Sequence, residues 1–191
     1  MVGVRQQIKP MHILNYGWIG KSILLALVLI ITLAACSKSS GTLNVAYTFP
    51  FTLYQGESEL GGSNIDLSDL NGKPVVINFW AGLCPPCRAE MPDFQVFHDN
   101  FNGKVTIIGI DIGQYVGLGS QADARNLLNE MGFTYPAGFT EDPNVVKAYE
   151  VFGVPTTVFI NSKGEVFRKW GGLLTLKILT DVSREMLALE S

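Results

Sequence analysis

The stretch VVINFWAGLCPPCRAEMP, Val75–Pro92, joins a strand pattern to a helix pattern through two cysteines. Val75–Trp80 is an apolar run rich in β-branched residues, which suits a buried strand. A helix fits from Pro85 to about Phe101, with proline tolerated in its first turn and Ala89, Phe94, Phe97 and Phe101 supplying an apolar face. A buried strand feeding directly into a helix needs more strands beside it and more helices over it, and the flanking sequence supplies both. FPFTLYQ and NIDLSDL read as two short strands around GESELGGS, and KVTIIGIDIG as a second buried strand. Gln121–Met131 reads as a helix and GFTYPAG as a short strand or turn. DPNVVKAYEVFG reads as a helix opened by Asp142 and Pro143 and closed on Gly153. TTVFIN and EVFRKWGG form a hairpin about SKG, before a closing helix over Leu174–Leu189. Strands alternating with helices and ending in a hairpin predict an α/β domain, a mixed sheet covered by helices.

Cys84 lies where the helix begins, so its sulfur faces free backbone N–H groups and the positive end of the helix dipole. That favours thiolate over thiol, and Cys-x-x-Cys sites show pKa values of about 3.5–7.5 against about 8.5 for free cysteine. Cys87, one turn inward, is placed to attack a mixed disulfide formed at Cys84. Pro85 and Pro86 have no N–H to donate, which leaves Cys87 and Arg88 as the candidate donors. Fewer donors mean a less stabilised thiolate and a lower reduction potential, toward the reducing end of the range of about −270 to −120 mV.

Other uses of the pair fit less well. A closed zinc site needs about four ligands, and after the N-terminal segment the chain offers one histidine, His98. A copper carrier could recruit Cys84, Cys87 and His98. An inert structural bridge across two residues would remove little unfolded-state entropy. No metal or organic cofactor is expected.

At the N-terminus, Arg5, Lys9 and Lys21 precede the apolar run Ile23–Ala35, with no acidic residue before Cys36. These are the parts of a secretory signal, and the run is shorter than the roughly 20 residues that span a bilayer. A retained anchor over Tyr16–Ala35 is the other reading. LAAC, Leu33–Cys36, resembles the bacterial lipobox, in which the cysteine becomes a lipid-modified N-terminus. The expected organisation is a signal peptide over 1–35, a flexible Ser-rich tether over 36–46 and one domain over 47–191. Of the 14 basic residues three lie in the signal, leaving 11 against 17 acidic and a net charge of about −6. No basic run or aromatic-basic cluster suggests nucleic acid. The setting is extracytoplasmic, where disulfides persist.

GKPVVINFWAGLCPPCRAEMP together with VFGVPTTVFINSKGEV resembles the TlpA/ResA-like branch of the thioredoxin superfamily, over about Phe49 to Leu189. The resemblance implies a thioredoxin-like fold: a central mixed β-sheet flanked by helices, with an N-terminal β-hairpin and a central insertion. It implies Cys84 as nucleophile and Cys87 as resolving thiol. It also implies that Pro155 is a cis-proline facing the pair, with Val154 offering its backbone to a substrate strand; a cis X-Pro bond lies only about 0.5–1 kcal/mol above trans. Glu90 matches a glutamate implicated in proton handling in this branch, and Asn78 stands where thioredoxins proper hold a buried aspartate. A solvated acid in the early helix is the alternative for Glu90. Leu83 departs from the usual tryptophan before the first cysteine, and with Pro86 it borders the substrate. QYVGLGSQAD is read as a surface loop rather than a border of the site.

The function these features imply is a thiol–disulfide oxidoreductase, monomeric and lipid-anchored through Cys36 in a bacterial envelope. It would reduce protein disulfides, apocytochrome c during cytochrome c maturation among them, with a membrane thiol transporter as electron donor. A peroxiredoxin-like peroxidase is the alternative enzyme, although Ala81 stands where such sites carry threonine three residues before the cysteine.

Overall fold

The computed structural model describes residues 45–190. The signal at 1–35, the lipobox cysteine Cys36 and the tether up to residue 44 lie outside the described residues. Val45 bridges Glu165, and the Ala46 N–H donates to the Gly164 carbonyl at 2.8 Å, so both residues already lie against the domain.

Seven strands form one sheet: β1 (Pro50–Gln55), β2 (Asn64–Asp66), β3 (Val75–Trp80), β4 (Thr106–Asp111), β5 (Ala137–Phe139), β6 (Thr156–Ile160) and β7 (Val166–Gly171). Their order is β2-β1-β5-β4-β3-β6-β7. The β3–β4 and β4–β5 pairs are parallel and the other four antiparallel. The helices are α1 (Glu57–Leu60), α2 (Pro85–Phe101), α3 (Gly113–Val116), α4 (Gln121–Met131), α5 (Asn144–Ala148) and α6 (Leu176–Ala188). The expected mixed sheet flanked by helices is thus present.

Every residue of β3 is buried, because both faces of the sheet are covered. Side chains alternate along a strand, so Val76 and Trp80 join the core under α2 and α6, with Phe94, Phe97, Leu179 and Met186. Val75, Ile77 and Phe79 point the other way, toward Phe49, Tyr149 and Val151. Asn78 shares the face of Val76 and Trp80, and so looks toward α2. That parity places the site's buried polar chemistry.

Three sequence expectations need correction. Ala89 is exposed; the buried stripe of α2 runs through Cys87, Glu90, Met91, Phe94, Phe97, His98 and Phe101, the 3.6-residue period set by the sheet beneath. NIDLSDL is a strand for only three residues. The Asp66 carboxylate then accepts from the Ser68 N–H and Asp69 accepts from the Asp66 N–H, both at 2.9 Å, turning Leu67–Leu70 into a short 3-10 helix. Finally, α5 stops at Ala148, well before Gly153. Glu150 takes a left-handed φ of 48° and the Val151 N–H reaches back to the Val146 carbonyl at 2.8 Å, which sends Tyr149 and Val151 into the core.

Candidate active site

β3 ends at Trp80, and Ala81, Gly82 and Leu83 carry the chain to Cys84, the N-cap of α2. Cys84 and Cys87 form a disulfide, S–S 2.04 Å. The Cys87 N–H donates to Cys84 Sγ at 3.2 Å. The Arg88 N–H instead donates to the carbonyl of Cys84 at 3.1 Å, so of the two donors left by the prolines one reaches the sulfur. Both cysteines are almost wholly buried, while Pro85, Pro86 and Leu83 beside them are exposed.

Facing the pair is the turn before β6. The Val154–Pro155 bond is cis, and the Val154 carbonyl oxygen lies 3.7 Å from Cys84 Sγ. Pro155 is buried and Val154 half-buried. The Thr156 hydroxyl donates to the Gly153 carbonyl at 2.7 Å, and the Gly172 N–H to that of Pro155 at 2.8 Å, tying this turn to the start of β6 and the end of β7.

Glu90 is buried beneath the disulfide's helix turn, one turn beyond Cys87, and not solvated on the early helix. Its Oε1 accepts from Asn78 Nδ2 and its Oε2 from the Leu174 N–H, each at 2.8 Å. Asn78 Nδ2 also donates to Thr157 Oγ1 at 3.1 Å. Burial pushes the Glu90 carboxyl up from an ordinary value near 4.5 to about 7, against the two hydrogen bonds that favour its ionised form. A group titrating there can take or give a proton at neutral pH.

The QYVGLGSQAD segment borders the site, contrary to its reading as a surface loop. The Leu83 N–H donates to the Leu118 carbonyl at 2.9 Å, and a methyl on Gly119 would come within 3.1 Å of the Leu83 side chain. Gly117 and Gly119 adopt positive φ, 69° and 116°, and the Ser120–Asp123 capping box then starts α4. Beneath it Asp111, at the end of β4, accepts from the Tyr54 hydroxyl at 3.0 Å and the Gly113 N–H at 2.9 Å. Burial raises the Asp111 carboxyl above its ordinary range. Sequence reasoning missed Asp111, and also Asp93, which accepts from the Leu176 N–H at 2.7 Å at the start of α6.

His98 does not join the cysteines. It lies three turns further along α2, about 16 Å of helical rise from Cys87, with Nε2 3.5 Å from Glu59 Oε2. Among the described residues no three metal-ligating side chains gather, and the copper set of Cys84, Cys87 and His98 is not assembled.

The family model described as the AhpC/TSA family matches residues 47–169. The thiol–disulfide oxidoreductase ResA of Bacillus subtilis is 32% identical over 124 residues, 64% of this chain and 66% of that one. The chain thus spans about two thirds of the length of the curated relatives it matches. Among solved structures, a thiol:disulfide interchange protein of the thioredoxin family from Chlorobium tepidum superposes with a TM-score of 0.64 at 22% identity, covering 78% of this chain and 99% of that one. The pneumococcal exposed lipoprotein thioredoxin Etrx1 superposes with a TM-score of 0.61 at 23% identity, covering 73% and 99%. At these identities the structural likeness speaks for the fold.

Proposed function

The chain belongs to the AhpC/TSA family, as a thioredoxin-like relative of the ResA thiol–disulfide oxidoreductases, and from that premise we propose that it reduces protein disulfides outside the cytoplasm. The observation that carries this reading is the Cys84–Cys87 disulfide at the start of α2, with the Val154 carbonyl 3.7 Å from Cys84 Sγ. An extended chain laid beside Val154 brings its own sulfur to Cys84.

In the reduced protein, the Cys84 thiolate attacks one sulfur of the substrate disulfide and the other substrate sulfur leaves as a thiolate. Glu90 accepts the proton of Cys87, whose thiolate attacks Cys84 Sγ and expels the second substrate thiol. Two electrons pass to the substrate, and the Cys84–Cys87 disulfide forms. A dithiol carried by a membrane thiol transporter reduces it again. Leu83, Pro86 and Pro155 border the approach. Apocytochrome c, whose cysteines must be free before haem attachment, is the proposed substrate. The likeness of LAAC, Leu33–Cys36, to a lipobox supports attachment to the envelope membrane.

Equilibration of the Cys84–Cys87 pair with a redox buffer tests the direction of flow. The expected potential lies near about −270 mV, and a value near about −120 mV would overturn the reductase assignment in favour of disulfide formation. Pro86→His restores a backbone N–H in the first turn and adds an imidazole, both stabilising the Cys84 thiolate. It is expected to raise the potential by roughly 30 mV or more, about 1.4 kcal/mol, and an unchanged value would sink the account of the double proline.

A further inference from the structure

Seven large apolar side chains are exposed among the described residues, and three of them adjoin residues of the site along the chain: Leu83 next to Cys84, Leu173 next to the Glu90-bound Leu174, and Phe152 two residues before Val154. Phe152 is the extreme case, 95% exposed although Val151 beside it is buried. The turn that ends α5 commits its neighbours to the core and sets this ring outward, where most of its apolar surface stays in water. Lys169 Nζ lies over the ring, 5.8 Å from its centroid, held by Glu150 Oε2 at 2.7 Å and the Tyr149 carbonyl at 3.2 Å, so it steadies the ring without offering a free charge.

Between Phe152 and the end of β7 runs a groove floored by Gly153, Val154, Pro155, Gly171 and Gly172, with the paired Glu150 and Lys169 also on its lining. Gly172 needs its glycine for a φ of 88°, but Gly153 and Gly171 have no such requirement, and a methyl on either would meet nothing within 4 Å. The fold does not need glycine at these two positions. What their missing side chains provide is approach to the backbone. The N–H of Val154 has no partner among the described residues, while its carbonyl touches the active sulfur.

We propose that Phe152 is the aromatic anchor of a peptide groove that continues the active site, and that it selects extended polypeptides bearing an apolar side chain about two residues from the disulfide cysteine. It supplies, next to the Val154–Pro155 turn, the aromatic surface that Leu83 does not. A backbone-floored groove with one ring at its end fits a main chain with one apolar side chain. A lipid headgroup would find no unpaired cation there. The proposal rests on the reading of the protein as a protein-disulfide reductase.

The test uses the reduced full chain and two synthetic peptides with an internal disulfide, alike except for Leu or Ser two residues from one cysteine. Reaction with a small disulfide normalises for the reactivity of the dithiol. The wild type is expected to reduce the Leu peptide about tenfold faster, and Phe152→Ser to erase that preference. Gly153→Ala is expected to slow both peptides about tenfold with the melting temperature unchanged, since the added methyl meets nothing in the free protein. A wild type without preference, or Phe152→Ser retaining it, overturns the inference and leaves the reductase reading standing. Failure of the wild type to reduce either peptide or insulin overturns the reductase reading itself. Conversion of a dimer to a monomer by Phe152→Ser would make the ring a contact between copies, and would also overturn the proposal.

Discussion

Glu90→Gln is expected to slow resolution of the mixed disulfide by about a hundredfold at pH 7, the size of a lost general acid–base group. In the proposed mechanism the fully buried Cys87 must shed a proton before it attacks, and Glu90, one turn along the same helix with its carboxyl pushed up to about 7, is the group proposed to accept it. Glutamine fills the same space and keeps an acceptor for Asn78 or Leu174, but it takes no proton. The wild-type rate should therefore rise with pH through about 7, whereas the variant should lack that inflection. Stopped-flow mixing of a Cys84-linked mixed disulfide across pH 5–10 reads both profiles. Equal inflections in the two proteins would reduce Glu90 to a packing residue.

The same carboxyl makes a thermodynamic prediction of definite sign. Its folded value lies above its ordinary one, so the folded state holds a proton that the unfolded chain releases between about 4.5 and 7. The contribution to stability is complete below about 4.5 and is lost as pH rises through about 7. Over that window the oxidised wild type should lose roughly 3 kcal/mol relative to Glu90→Gln, seen as converging or crossing melting temperatures.

Much of this site is legible in the sequence. The strand–Cys-x-x-Cys–helix order placed the dithiol, and α4 begins and ends where its caps say it should, at Gln121 and Met131. Glu90 could be named from its spacing to Cys87, but its environment could not. Its burial depends on Asn78 facing α2 from β3 and on Leu174 arriving 84 residues later in the chain. Local pattern also misjudged α5, because the competition between continuing the helix and burying Tyr149 and Val151 is decided by the sheet. The QYVGLGSQAD segment was the largest misreading. Its glycines signalled irregular backbone, yet the partner they bend toward, Leu83, is set by the parallel pairing of β3 with β4.

That pairing makes Gly82→Ala the most damaging conservative change in the active-site loop. An added methyl would lie 2.5 Å from the Ala124 nitrogen, 2.6 Å from the Asp123 carbonyl carbon and 2.9 Å from the Ala124 Cα. All three are backbone atoms, so no rotamer change relieves the contact. The first turn of α4 is held by its Ser120–Asp123 capping box, and the other wall by the bond from Leu83 to Leu118. Displacing either side breaks one of these anchors. The expected cost is about 3 kcal/mol, or roughly 6–12 °C in melting temperature. Since Leu83 leads straight into Cys84, a shift of about an ångström should also lower the rate of insulin reduction by about a hundredfold. Gly103→Ala supplies the contrast: at φ 80° with nothing within 4 Å, it should cost only the left-handed backbone strain of about 1–2 kcal/mol and leave the rate alone. Were Gly82→Ala no worse than Gly103→Ala in both measurements, the loop before Cys84 would be compliant, and α4 would not be what holds the nucleophile in place.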